Sequence, residues 1–244
     1  MKALILCAGF GRRLGAHCAA CPKPLLRLGD STIIEYTLRR LSEAGIHDVF
    51  VNLHYRAERF PAQLGNGSRY GLRIHYRHES APLGTAGTPR DLADELDGQG
   101  LLVHYGDIVS AHPLAELVDA HACNHAAATI LVHQRADSNS YAYFGEGEQI
   151  DRFIERPANP PSSLGPSWAF SGICVLSASF LQAIPRASTI DLPADLFPDL
   201  ARLGGLYGQR LAGYRWAIDS PERLADARAA FLDSRGQGAV GNSQ

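Results

Sequence analysis

The chain has 244 residues, 45% of them hydrophobic, and a formal net charge of −2. This is enough apolar material for one large α/β domain, and the charge provides neither a basic field for nucleic acid nor a Lys/Arg cluster for an anionic membrane. No apolar stretch approaches the roughly 18 residues of a membrane span, and no signal-like run precedes a cleavage site, so the expectation is a cytoplasmic protein acting on small soluble molecules.

The first predicted strand, Leu4-Ile5-Leu6-Cys7-Ala8, empties into Gly9-Phe10-Gly11-Arg12-Arg13-Leu14 and then Pro22-Lys23-Pro24. Two glycines let a backbone turn tightly and bring its N–H groups close to phosphate oxygens, and Arg13 and Lys23 add the fixed positive charge that a polyphosphate needs. The third glycine of a dinucleotide fingerprint is replaced by Leu14, and no Gly-Lys-Ser/Thr follows. A nicotinamide or flavin site and a standard NTPase cradle are therefore disfavoured. The cysteines (Cys7, Cys18, Cys21, Cys123 and Cys174) are odd in number, in a chain too long to need stapling, and read as free thiols. Cys18 and Cys21 have C-x-x-C spacing without a second pair, which disfavours a zinc ribbon.

Thr32 and Glu35 have capping-box spacing, and the apolar period through Leu41 predicts a helix stopped by Gly45. Downstream, strands over 48–53, 72–76, 101–105 and 127–133 alternate with helices over 57–64, 86–96 and 113–123, the pattern of parallel crossover units. A glycine-rich turn, Pro82-Leu83-Gly84-Thr85-Ala86-Gly87, leads into the second of these helices, and its small residues let a flat base or a sugar lie against the backbone. Strand 101–105 ends in Gly106-Asp107, at the carboxyl edge where ligands bind in open α/β sheets. Asp107 is a hard oxygen ligand suited to Mg²⁺ bridging nucleotide phosphates. His121 and His125 would share a helix face but lack a zinc-hydrolase glutamate, and read as a partly exposed helix end.

Beyond Gln134, runs over 141–144 and 149–154 flank Gly145-Glu146-Gly147-Glu148 as a hairpin. A loop over 158–166, a core strand over 169–176 and a last helix over 221–232 follow. The reading is one domain over 1–234 with a disordered tail over 235–244. Asp219, just before the last helix, is either a second metal carboxylate or that helix's cap, with Ser220 able to cap instead.

Together these blocks resemble the sugar-1-phosphate nucleotidyltransferases, the NDP-sugar pyrophosphorylases. Gly9 to Leu14 with Pro22-Lys23-Pro24 resembles the G-x-G-x-R-L...P-K-P signature, Leu83 to Gly87 the base-side loop, and Gly106-Asp107 the metal aspartate. Phe153-Ile154-Glu155-Arg156-Pro157 resembles the F-x-E-K-P element and Phe170 to Leu176 the glycine-containing strand beside the sugar. Asn66 to Gly71 resembles a turn of bacterial mannose and N-acetylmuramate members. The resemblance implies a Rossmann-like three-layer αβα sandwich around a mixed, mostly parallel sheet. It also implies Mg²⁺-dependent transfer of a nucleoside monophosphate from an NTP to a sugar 1-phosphate.

In that reading Arg13, Lys23 and Asp107 are catalytic, and Leu6, Ala8, Gly9, Gly11, Gly84, Thr85 and Gly106 bind nucleotide. Glu155, Arg156 and Gly172 bind the acceptor, and Asp107 and Asp219 hold the metal. The chain departs from the pattern at Arg156, where the family has lysine, and at Ala217, where the later metal aspartate is missing and Asp219 follows two residues on. The Ile218-Asp219-Ser220 ending resembles cytidylyltransferases acting on phosphocholine, which keeps that acceptor class open. A domain that binds nucleotide and sugar phosphate without turnover is the alternative of another class. Guanylyl transfer to a mannose- or heptose-type sugar is preferred, uridylyl transfer next. No nucleic-acid or membrane partner is expected, and a homo-oligomer is left open.

Overall fold

The computed structural model describes residues 1–11, 14–15, 18, 21–135, 138–159, 166–186 and 189–238, with the backbone alone from 232 onward. Strand β1 (Lys2–Leu6) is followed by a 3-10 turn, Lys23–Leu25, and a small ribbon of β2 (Arg27–Leu28) and β3 (Ser31–Thr32). Helix α1 (Ile33–Glu43) begins with the expected capping box, in which Glu35 N donates to Thr32 Oγ1 and Thr32 N donates to Glu35 Oε2 at 2.8 Å. Glu35 also accepts from Tyr70 Oη at 2.7 Å and Arg69 Nη2 at 2.9 Å, which docks the 66–71 turn on this helix start.

The chain continues through β4 (Asp48–Leu53), α2 (Arg59–Leu64), β5 (Arg73–His78), α3 (Gly84–Asp91), β6 (Leu101–Tyr105), β7 (Ile108–Ser110), α4 (Leu114–Asn124) and β8 (Ala128–His133). The hairpin of β9 (Ser140–Phe144) and β10 (Ile150–Glu155) and strand β11 (Ala169–Leu176) follow, then α5 (Ala178–Ala183), a π-helical turn (Leu192–Leu196) and α6 (Phe197–Arg202). The chain then forms β12 (Leu206–Arg210), β13 (Arg215–Ala217) and α7 (Pro221–Gly238).

The main sheet has the order β12-β8-β11-β6-β1-β4-β5. All its pairs are parallel except those of β11, which runs against both β6 and β8. Alternation places a core on each face. Ile5, Val49 and Val51 pack with Leu38 and Phe60 on one side, while Leu4, Phe50 and Val103 pack with Ala86 and Leu181 on the other. The three-layer, mostly parallel sandwich is thus present.

The structure differs from the sequence reading in several places, and the β2–β3 ribbon and β7 were not expected at all. The helix expected over 86–96 starts at Gly84, runs through Pro89 to Asp91 and gives way to a 3-10 turn, Ala93–Glu95. The last helix runs to Gly238, so the tail expected to be disordered from 235 begins as helix. The alanine-rich stretch Ala225 to Ala230 carries it onward without a proline stop. Residues 239–244 of that expected tail lie outside the described residues. Between 177 and 216 the sequence offered no clear period, and the structure supplies two helices and two strands there.

Candidate active site

A cavity of about 350 Å³ opens at the carboxyl edge of β1, β4 and β6. Leu6, Ala8, Gly9 and Gly11 form one wall, Gly84 and Thr85 a second, and Lys23, Gly106 and Asp107 the rim, so nine of the residues singled out from the sequence meet around one space. Arg12 and Arg13 lie outside the described residues. Gly106 permits this convergence, since a Cβ there stands 2.6 Å from Leu6 O while Gly106 N donates to that same oxygen at 3.0 Å. Lys23 Nζ donates to Asp107 Oδ2 at 3.0 Å across the rim.

Beneath the cavity is a polar network that the motifs did not reveal. Asn52, buried in β4, accepts from Cys7 N at 2.7 Å and donates to Glu79 Oε1 at 2.7 Å and Thr88 Oγ1 at 3.1 Å. Glu79 also accepts from Thr88 Oγ1 and, at 3.1 Å, from Leu83 N. The glycine loop before α3 is therefore tied to the ends of β1 and β4. An asparagine inside the apolar run Val49-Phe50-Val51-Asn52-Leu53 was the available signal, because a buried amide needs partners.

The same loop is clasped from outside. Thr85 Oγ1 donates to Asp191 Oδ2 at 3.0 Å and accepts from Leu192 N at 2.7 Å, and Ala86 N donates to Ile190 O at 3.0 Å. Gly84 has φ +80°, and a Cβ there falls 2.2 Å from Ile190 O. This approach demands glycine.

The residues expected on the acceptor side stand outside that cavity wall. Gly172, at φ +83°, sits where β11 breaks register, so close that a Cβ comes within 2.9 Å of Ile108 and 3.4 Å of Tyr105. Tyr105 packs edge-on against Phe170 at 5.6 Å. Glu155 ends β10, and burial, opposed by Arg156 and reinforced by Asp191, pushes its carboxyl up to about 7. Arg156 has φ +45° and reaches back to Glu155 at 3.4 Å, with its side chain 76% exposed.

Asp219 is brought near Asp107 by the bond from Ile218 N to Asp107 O at 2.9 Å, and its carboxylate accepts from Arg223 at 2.7 Å. Ser220 supplies the helix cap, accepting from Arg223 N at 3.3 Å. Arg215, unnoticed in the sequence, donates from Nε to Ser171 O at 2.9 Å and feels the charges of both Asp107 and Asp219. His104 and His133 are each pushed down to about 4 by burial, so both are neutral at neutral pH. His121, expected at a partly exposed helix end, is instead buried against β8, where it bonds Thr129 at 3.0 Å, while the exposed His125 caps the helix.

Among the described residues no three or more His, Cys, Asp or Glu gather as a metal centre. The hard oxygen groups on offer are the carboxylates of Asp107, on the rim, and Asp219, which follows the Ile218 bonded to Asp107 O; their chemistry would fit Mg²⁺. That ion keeps several waters and takes one or two carboxylates together with substrate phosphates.

A glycine-walled cleft of this size, with a cation and a carboxylate facing each other at the strand ends, marks an α/β protein that handles nucleotides. The family model described as Nucleotidyl transferase matches residues 2–216, and the chain belongs to that family. It is 31% identical over 241 residues to a mannose-1-phosphate guanyltransferase of Yarrowia lipolytica and 32% identical over 241 residues to a probable mannose-1-phosphate guanylyltransferase of Oryza sativa. It is 30% identical over 236 residues to a mannose-1-phosphate guanylyltransferase of Mycobacterium tuberculosis. These alignments cover 95–96% of this chain, which spans 65% of the length of each relative. A crystal structure described as a glucose-1-phosphate thymidylyltransferase of Bacillus anthracis superposes with a TM-score of 0.85, covering 96% of both chains at 21% identity, and shares the fold. No helix among the described residues is long and apolar enough to cross a membrane.

Proposed function

We propose that the protein transfers a nucleoside monophosphate from an NTP to a sugar 1-phosphate, releasing pyrophosphate and forming an NDP-sugar. The observation that carries this reading is the Lys23–Asp107 pair on the rim of the glycine-walled cavity. Guanylyl transfer to a mannose-type sugar is the first choice, supported by the names of the relatives. The setting proposed is the cytoplasm.

An oxygen of the acceptor phosphate forms a bond to the NTP α-phosphorus, and the bond from that phosphorus to the β-phosphate bridging oxygen breaks. Pyrophosphate leaves with the electron pair. The acceptor, with a second pKa of about 6, is already largely dianionic at neutral pH, so the reaction needs positioning and charge neutralisation rather than a general base. Asp107 and Asp219 would hold Mg²⁺, which would neutralise phosphate charge. Lys23 turns from Asp107 to the α-phosphate, and Arg13 steadies the leaving pyrophosphate. The backbone from Leu6 to Gly11, Gly84, Thr85 and Gly106 lines the nucleotide. Glu155, Arg156 and Gly172 stand on the acceptor side.

Crossing GTP, UTP, CTP, dTTP and ATP with mannose, glucose and N-acetylmuramate 1-phosphates and with phosphocholine, and identifying products by mass spectrometry, tests this reading. GDP-mannose is the expected product. Turnover of phosphocholine alone, with every sugar 1-phosphate inert, removes the sugar reading.

A further inference from the structure

Arg215 opens β13 and pairs in register with Ser110 of β7, with Ala217 opposite Ile108, so this ribbon begins immediately after Asp107. Its Nε is fixed by Ser171 O at 2.9 Å, next to Gly172 at the register break of β11. The side chain is partly exposed, and among the described residues no protein acceptor bonds its two terminal nitrogens. A guanidinium anchored through Nε with its Nη donors unspent is arranged to receive a forked anion.

The surrounding charges call for that anion. Lys23 is matched by Asp107 and Arg223 by Asp219. Arg215 and its electrostatic neighbour Arg135 have no carboxylate of their own among the described residues. Among the described residues, Lys23, Arg135, Arg215 and Arg223 thus gather around two carboxylates, Asp107 and Asp219, a setting that suits a phosphomonoester dianion. Burial and the repulsion of Arg135 and Arg223 draw Arg215 down to about 10, which leaves it charged at neutral pH. Arg156, by contrast, is exposed and folded back on Glu155.

We propose that Arg215 binds the phosphate of the acceptor, beside Asp107 and outside the wall of the nucleotide cavity. The assignment rests on the nucleotidyl-transfer reading and deepens it. It also separates the two substrates: nucleotide phosphates at Lys23, acceptor phosphate at Arg215, with Asp107 between them.

The test compares wild type with Arg215→Gln, Arg215→Lys and the control Arg73→Gln, checking each fold by thermal melting. In steady state, Arg215→Gln raises the KM for the sugar 1-phosphate on the order of 10- to 100-fold, the range for losing a charge-assisted bond, while the KM for NTP stays within about 2-fold. Arg215→Lys, which keeps the charge without the fork, recovers part of the loss. A phosphorus NMR titration with inorganic phosphate needs no turnover, and shows weaker binding in Arg215→Gln but not in Arg73→Gln, whose arginine is exposed on the edge strand β5. Equal phosphate affinity in wild type and Arg215→Gln, or an equal rise in both KM values, overturns the assignment. Phosphate binding through Arg215 in a protein that turns over no sugar phosphate leaves this seat standing and removes the sugar-transfer reading instead.

Discussion

Lys23 Nζ stands 3.0 Å from Asp107 Oδ2 although 84 residues separate them in the chain. The lysine comes from the 3-10 turn after β1 and the aspartate from the end of β6, so the main sheet itself sets their separation. In the structure each ion neutralises the other. The pair is partly buried, its side chains 12% and 27% exposed, and asparagine in place of Asp107 keeps an acceptor for Lys23 Nζ, so the cost to stability is on the order of 1 kcal/mol. Asp107→Asn is therefore expected to melt near wild type while kcat falls at least about 100-fold, as when a transition-state charge partner is removed. Urea unfolding and a pyrophosphate-release assay on the same preparation check both halves.

Gly9 and Gly84 both line the cavity, but only one is demanded by the protein. A Cβ at Gly9 meets nothing within 4 Å, whereas at Gly84 it collides with Ile190 O on a backbone already at φ +80°. Gly9→Ala is expected to change stability by less than about 0.5 kcal/mol, yet to raise the nucleotide KM about 10-fold, because the open space belongs to the ligand. Gly84→Ala is expected to lose roughly 1–3 kcal/mol from backbone strain. A Gly9→Ala enzyme with an unchanged nucleotide KM contradicts the placement of the phosphates.

Asn52 is the shared partner of Cys7 N, Glu79 and Thr88. Asn52→Ala strands a buried N–H and is expected to cost about 1–3 kcal/mol, measured by urea denaturation. Asn52→Asp keeps an acceptor but places a second carboxylate against Glu79. It is expected to be less stable still at neutral pH, and to recover as the pH falls.

Glu155 gives a pH dependence of known sign. Its folded carboxyl is held up to about 7, above the ordinary carboxyl value of an unfolded chain, so the folded state binds the proton more tightly. Its stabilising contribution is full below that ordinary value and is lost as the pH rises through about 7. Buried His104 and His133, held down to about 4, act in the opposite sense, losing stability as the pH falls. Glu155→Gln leaves those histidines in place. The wild-type minus variant difference in unfolding free energy is therefore expected to decline from about pH 5 to about pH 8; a flat difference contradicts the burial of Glu155.

The first half of the chain was legible because each element carried its own signal. The capping box at Thr32 and Glu35, the apolar strands and the Gly106-Asp107 strand end all recur in the structure. The antiparallel β11 also matches its expected span. The segment from 177 to 216 was not legible, because its π turn, short helices and β13 are specified by contacts from afar, such as Thr85 with Asp191 and Arg215 with Ser171. For the same reason the glycines of the cavity could be listed from motifs, while Asn52, Asp191 and Arg215 became visible only once the strands were brought together. Arg13 lies outside the described residues, and its role stays with the signature that suggested it.

Pyrophosphate release by the purified protein, measured with GTP, mannose 1-phosphate and Mg²⁺ together and with each left out in turn, tests the central claim most directly. The expected result is release only when all three are present, abolished in Asp107→Asn and accompanied by GDP-mannose. Absence of release with every NTP and sugar 1-phosphate pair, in a protein that still binds nucleotide, contradicts the account and leaves a binding domain in its place.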